Sequence, residues 1–108
     1  RRELRVANVP NRSCIEGIKE SAVVEVPCVV DRSGVRGKRV GRLTRPVTAL
    51  LNLHLEKFEL LAKGVVEREK SLVLEAMGLD PTTPSPEKAE AMLNEFMREM
   101  GDVMGPWS

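Results

Sequence analysis

Few residues in this sequence could do chemistry, and they do not converge on one reaction. There is one histidine, His54, and there are two cysteines, Cys14 and Cys28. Two thiols with a single distant imidazole match no metal-binding spacing. Buried free thiols in a reducing compartment are the plain reading of the cysteines, with a disulfide or a reactive thiol as alternatives. His54 stands among leucines with no second histidine nearby. It reads as a partly buried structural residue or one at a subunit or domain boundary, since nothing close in sequence orients it as a base. Glu25 interrupts a valine run, "AVVEVPCVV". A carboxylate there needs a partner if buried, or a face open to water. Asn8 and Asn11 bracket Pro10. Asparagines at a tight turn bond their own backbone, or offer amides to a polar ligand. Gly34, Gly37 and Gly41 lie in "GVRGKRVG", which fits neither phosphate-binding glycine fingerprint. It reads as a solvated hairpin or as a basic loop facing an anion.

The elements that must position these residues come from hydrophobic spacing. "ELRVANV" predicts a strand that enters a turn at Pro10. Residues 22–30 predict a stronger one, with Val24, Val26, Cys28 and Val30 on one face and Val23, Glu25, Pro27 and Val29 on the other. Both faces are mostly apolar, so the expectation is a strand covered on both sides. Pro27 cannot donate to a ladder, so it points to an edge position or a bulge. "DRSGVRG" predicts a turn, and residues 38–43 a short return strand. Thr44 and Pro46 open a helix. Its apolar stripe runs through Val47, Leu50, Leu51, His54, Leu55, Phe58, Leu61, Ala62 and Val65. Gly64 in that helix costs about 1 kcal/mol against alanine, which suits a helix wedged against neighbouring backbone. "LVLEAMGL" predicts a second helix. Ser85 caps a third, with Pro86 and Glu87 in its first turn and Ala89, Met92, Leu93, Phe96, Met97 and Met100 as its stripe. Strands at about 3–43 and helices at about 45–67, 69–78 and 86–101 make an α+β class: short strands, then three helices.

Composition narrows the partners. The chain has 108 residues, 17 basic and 16 acidic side chains, and a formal charge of +1. That is no footprint for nucleic acid. With no tyrosine and two phenylalanines, there is no platform for stacking bases. No apolar run reaches the roughly 20 residues of a membrane span, and no secretory signal is visible. The expected setting is the cytoplasm.

The ordered motifs resemble those of glycoside hydrolase family 4, which includes α-glucosidases, α-galactosidases, α-glucuronidases and 6-phospho-glucosidases. The resemblance rests on Asn8, Pro10 and Asn11; on Val24, Glu25, Val26 and Pro27; on Gly34 and Pro46; on Glu59 and Leu60; and on Asp80 and Pro81. It spans residues 5–100, in the C-terminal region of that family. The family often has glycine where this chain has Ser13 and Arg68. The resemblance implies a domain similar to the C-terminal domain of lactate and malate dehydrogenases. It implies an N-terminal Rossmann-like partner domain that binds NAD, and a divalent metal such as Mn²⁺. The reaction it implies is hydrolysis of O-glycosidic bonds by oxidation at C3, proton loss at C2 and elimination. The family's metal ligands and base fall upstream of this segment, so no catalytic or metal-ligating residue is expected here.

The chain opens "RRELRV" and is expected to be the C-terminal piece of such an enzyme, inactive alone. Asn8 and Asn11 are expected at the rim of its substrate pocket, and Glu25 as a structural carboxylate at the sheet junction. Leu53, His54, Leu60 and Val66 are expected at an interface in a homo-oligomer, most simply a homodimer. The competing reading is a small standalone scaffold or interaction domain without catalysis. The length of the reading frame before Arg1 separates the two.

Overall fold

A computed structural model describes residues 1–108. The chain folds as two compact units, residues 1–52 and 53–108. Its elements are β1 (Arg2–Pro10), β2 (Ile15–Glu16), β3 (Val23–Asp31), β4 (Gly34–Gly37), β5 (Gly41–Arg42), α1 (Arg45–Glu67), α2 (Lys70–Gly78) and α3 (Pro86–Met104). Short strands followed by three helices are the α+β order that the hydrophobic spacing predicts. No helix is long and apolar enough to cross a membrane.

In the first unit, β3 lies between β1 and β4 in an antiparallel sheet, and β2 pairs with β5 in a short parallel ladder. Of the two places expected for Pro27, an edge or a bulge, the structure has the second: it sits in the central strand, opposite a bulge. The ladder accommodates it because β1 shifts register between Leu4, opposite Cys28, and Ala7, opposite Val26. The extra residue of that bulge faces Pro27, whose missing amide leaves no donor unpaired. The expected cover of β3 is corrected. Val26 and Cys28 are buried, with Cys14, Ile15, Ile18 and Ala22 around the same core, but on the other face Val23 is 62% exposed. Glu25 and Pro27 are exposed with it, and only Val29 of that face is buried.

The strand that returns along β3 lies earlier than the expected residues 38–43, of which only Gly41–Arg42 form a strand, paired with β2 instead. Residues 34–37, read as part of a turn, pair with β3 from Asp31↔Gly34 to Cys28↔Gly37. The turn itself is Arg32-Ser33, held by the Ser33 amide donating to Asp31 Oδ1 at 2.8 Å. Gly37 ends the strand because nothing larger fits. A Cβ there would lie 2.6 Å from Cys14 Sγ and 3.0 Å from Val26 Cγ2.

In the second unit the core is Val73 and Ala76 of α2 with Ala89 and Leu93 of α3. Ser85 caps α3 by accepting the Lys88 amide, with Pro86 in the first turn. Gly64 is the only buried residue of α1. A Cβ on it would meet Val73 Cγ2 at 2.8 Å and the Val73 amide nitrogen at 3.1 Å. The expected close approach is therefore to α2 of the same chain. The stripe of α1, by contrast, is largely open. Val47, Leu50, Leu51, Phe58, Leu61 and Val65 are all exposed, so it is not the chain's own core. The tail folds back: the Ser108 amide donates to the Arg68 carbonyl and the Lys70 amide to the Ser108 carbonyl, both at 3.0 Å.

Candidate functional site

The loop from Asn11 to Ala22 carries the first of the expected site residues. Asn11 is 0% exposed. Its side-chain amide donates to the carbonyls of Ile15 at 3.0 Å and Ile18 at 2.8 Å, and its Oδ1 accepts the Ile15 amide at 2.8 Å. Its backbone amide donates to the Ala22 carbonyl and its carbonyl accepts the Cys14 amide. Asn11 thus ties both ends of the loop together, and both of its side-chain N–H groups are used within the loop. The reading that it bonds its own backbone is the one the geometry carries. Asn8 differs. It is exposed on β1, opposite Glu25 of β3. Glu25 lies on the open face of the sheet, the solvent-facing alternative for this carboxylate.

Ser13 and Arg68 stand where the family pattern often has glycine, and both adopt left-handed backbone, with φ of 67° and 54°. Arg12 beside Ser13 does the same at 41°. The Ser13 hydroxyl donates to Glu20, which holds the strained loop from its surface.

One depression, largely apolar in its walls but bordered by charged and polar side chains, escapes hydrophobic spacing altogether. It has a volume of about 560 Å³ and is lined by Glu16, Gly17, Arg42, Arg45, Thr48 and Asn52, among others. The Asn52 side chain donates to the Gly17 carbonyl at 3.1 Å. Glu16 meets Arg39 at 3.1 Å and Arg42 at 3.3 Å. The hydrogen bond from Arg39, reinforced by the charge of Arg42, holds its carboxyl below the ordinary value. The depression offers guanidinium, hydroxyl and amide donors, and no nucleophile beside a base. A signal for it existed: basic residues crowd the segment that precedes α1.

The remaining candidates do not join it. His54 stacks on Phe58 with ring centroids 6.2 Å apart, and Lys57 sits 5.0 Å over the same phenyl ring. Leu53 is exposed, Leu60 is half-buried, and Val66 is 82% exposed. Cys14 and Cys28 are free and buried. No group of three or more His, Cys, Asp or Glu side chains gathers where a metal ion could be held. In the second unit, an apolar groove of about 380 Å³ runs beside Leu61, Val65, Met92, Phe96 and Trp107. The Trp107 indole N–H is buried there without an acceptor.

Comparison with known proteins gives these sites a setting. The sequence profile of the family 4 glycosyl hydrolase C-terminal domain matches residues 1–83. The α-glucosidase of Erwinia rhapontici is 32% identical over 78 residues, which are 72% of this chain and 17% of that enzyme. The α-galactosidase of Bacillus subtilis strain 168 is 30% identical over 103 residues, 93% of this chain and 23% of that enzyme. Among solved structures, a 6-phospho-α-glucosidase from gut microorganisms, in complex with NAD and glucose 6-phosphate, superimposes with a TM-score of 0.87 at 26% identity. It covers 95% of this chain, which spans 24% of that one. The chain therefore spans about a sixth to a quarter of the length of these relatives.

Proposed function

The chain belongs to the family 4 glycosyl hydrolases, through their C-terminal domain, and from that premise we propose that it is the C-terminal substrate-site and oligomerisation part of a glycosidase. In this reading the whole enzyme hydrolyses O-glycosidic bonds by oxidation and elimination, with NAD and Mn²⁺. The observation that carries it is the profile match over residues 1–83, joined by the fold likeness to an enzyme solved with NAD. This chain's own residues fit neither group. They bring together no cluster of metal ligands, and the glycine-rich segment forms a hairpin strand rather than a strand-to-helix phosphate loop. NAD and Mn²⁺ belong, in this proposal, to an N-terminal Rossmann-like domain that the chain completes. The part alone is inactive.

Within that enzyme, Asn8 is the residue we put at the substrate rim, supported by its exposure at the end of β1. Asn11 serves by fixing the shape of the loop that follows. Leu53, His54, Leu60 and Val66 form a subunit interface in a homodimer, a role supported by the open apolar surface of α1. A cytoplasmic setting goes with the two free thiols.

The test of the catalytic reading is to express the complete reading frame and assay aryl glycosides with NAD, Mn²⁺ and a reductant. Cofactor-dependent cleavage of at least one sugar is expected, and its absence across several sugars would overturn the reading. The interface is tested by Leu60→Asp, which should shift the chain toward monomer in sedimentation. Unchanged oligomer size would remove Leu60 from the contact.

A further inference from the structure

Charge is divided unevenly along this chain. Residues 1–52 carry 11 basic and 5 acidic side chains, while residues 53–108 carry 6 basic and 11 acidic. The near-neutral total hides a basic unit and an acidic one. Each unit also has an exposed apolar stripe that lies among its own charges. In the acidic unit, Met92, Phe96, Met100 and Val103 of α3 recur along one side of the helix and are 39–81% exposed. They continue the apolar groove beside Leu61 and Val65. Glu95, Glu99 and Asp102 follow the flank of that stripe one row away, at helical spacing. Arg98 touches Glu95 and Glu99 only loosely, at 3.8 and 3.7 Å. In the basic unit, the opening of α1 exposes Val47, Leu50 and Leu51, just after the exposed Arg42 and Arg45.

We propose that the acidic apolar groove of α3 receives the basic opening of α1, with Arg42, Arg45, Val47 and Leu50, from a second copy of this chain. The inference rests on the reading that the chain self-associates, and it adds a contact to the one proposed at Leu53, His54, Leu60 and Val66. Like surfaces do not fit each other here. Two α3 stripes face to face would set Glu95, Glu99 and Asp102 against their own copies, and like charges brought together across an interface are strongly unfavourable. Acid meeting base satisfies both. The opposed apolar stripes supply the burial, and the flexible methionines adapt to the incoming helix. The charges set which face meets which and speed the encounter.

Charge reversal in two separate chains provides the test. One variant carries Arg42→Glu and Arg45→Glu, the other Glu95→Lys and Glu99→Lys. All four side chains are exposed, so folding is preserved, and circular dichroism verifies it. Each is compared with the unaltered chain by sedimentation at about 100 µM. Either variant alone should lose about tenfold or more in self-affinity. An equimolar mixture should regain it, because each reversed surface then meets its complement. Raising salt to about 1 M, where screening acts within about 3 Å, should weaken the unaltered dimer. Variants that still associate alone, or a mixture that stays monomeric, would overturn the proposal. If Leu60→Asp dissociates the dimer while both charge variants keep it, the dimer reading stands and this one fails. A monomeric unaltered chain overturns both. The glycosidase reading is measured separately, by activity of the complete reading frame.

Discussion

Asn11 shows how much one buried amide can hold. Its side chain closes three hydrogen bonds to Ile15 and Ile18 from a position with no exposure. Each such bond contributes about 1 kcal/mol, and a buried partner left without one costs more. Asn11→Ala is therefore expected to destabilise the first unit by about 2–4 kcal/mol, read as a lower urea midpoint. Asn11→Asp should be nearly as harmful, because an oxygen would then face two carbonyls. The sequence allowed both a backbone-bonding and a ligand-facing role for this residue. What it could not reveal is that Ile18 and Ala22 return to meet Asn11, since that depends on the path of a loop rather than on spacing. Ser13 and Arg68 make the opposite case. Their left-handed backbone, at 67° and 54°, is a conformation that costs a side-chain-bearing residue about 1–2 kcal/mol. Ser13→Gly and Arg68→Gly are each expected to raise stability by a fraction of that, about 0.5–1 kcal/mol, since glycine also frees the unfolded chain. A lowered midpoint in thermal melts of both would show that the Ser13–Glu20 bond and the Arg68 side chain matter more than the strain.

Among the elements, those with strong periodicity were legible and those set by pairing were not. The three helices follow from caps and stripes: Ser85 with Pro86 opens α3, and the spacing from Val47 to Val65 marks α1. The place of Pro27 was half legible. A bulge was foreseeable from the missing amide, but it lies in β1, opposite the proline, and a single strand's sequence does not reveal its partner's register. Gly64 was legible as a close approach but not as an approach to α2. Its substitution tests that packing. Alanine would favour the helix by about 1 kcal/mol, yet its Cβ would press on the Val73 backbone nitrogen at 3.1 Å, which cannot rotate away. Overpacking of this kind costs about 1–3 kcal/mol, so Gly64→Ala should come out net destabilising in urea titration. The link from α2 to α3 carries a pH dependence. The Thr82 hydroxyl and amide, and then Lys57, pull the Asp80 carboxyl down from 3.8 to about 2. Its folded value lies below its unfolded one. The stability it gives is therefore complete above the unfolded value and is lost as pH falls from 3.8 toward about 2. Asp80→Asn should flatten that part of the acid-denaturation curve and leave the rest in place.

For the whole molecule, apolar stripes told of cover without saying whose. The exposed faces of α1 and α3 read in sequence as core-facing, because a stripe records that a helix will be buried and not which chain buries it. The same would hold for chemistry. A site completed by residues from another domain, as proposed, would leave only its rim here, and a residue such as Asn8 has no spacing that announces it. This gives the chain a sharp expectation toward NAD. Dinucleotide binding needs a parallel strand, a glycine-rich turn and a helix whose first amides face the pyrophosphate. The main sheet is antiparallel, and the only parallel pair is the short β2–β5 ladder. The helix that follows β5 opens with Arg45 and Pro46, so one of its first amides is absent. The guanidinium groups near it can attract a pyrophosphate, but attraction without a shaped cradle of amides gives weak, salt-sensitive association. Calorimetric titration of the chain with NAD is therefore expected to show no saturable binding, and any weak heat should vanish at high salt. Stoichiometric, salt-resistant binding in the micromolar range would mean that the chain holds a nucleotide site of its own, and the division of labour proposed for the enzyme would have to be redrawn.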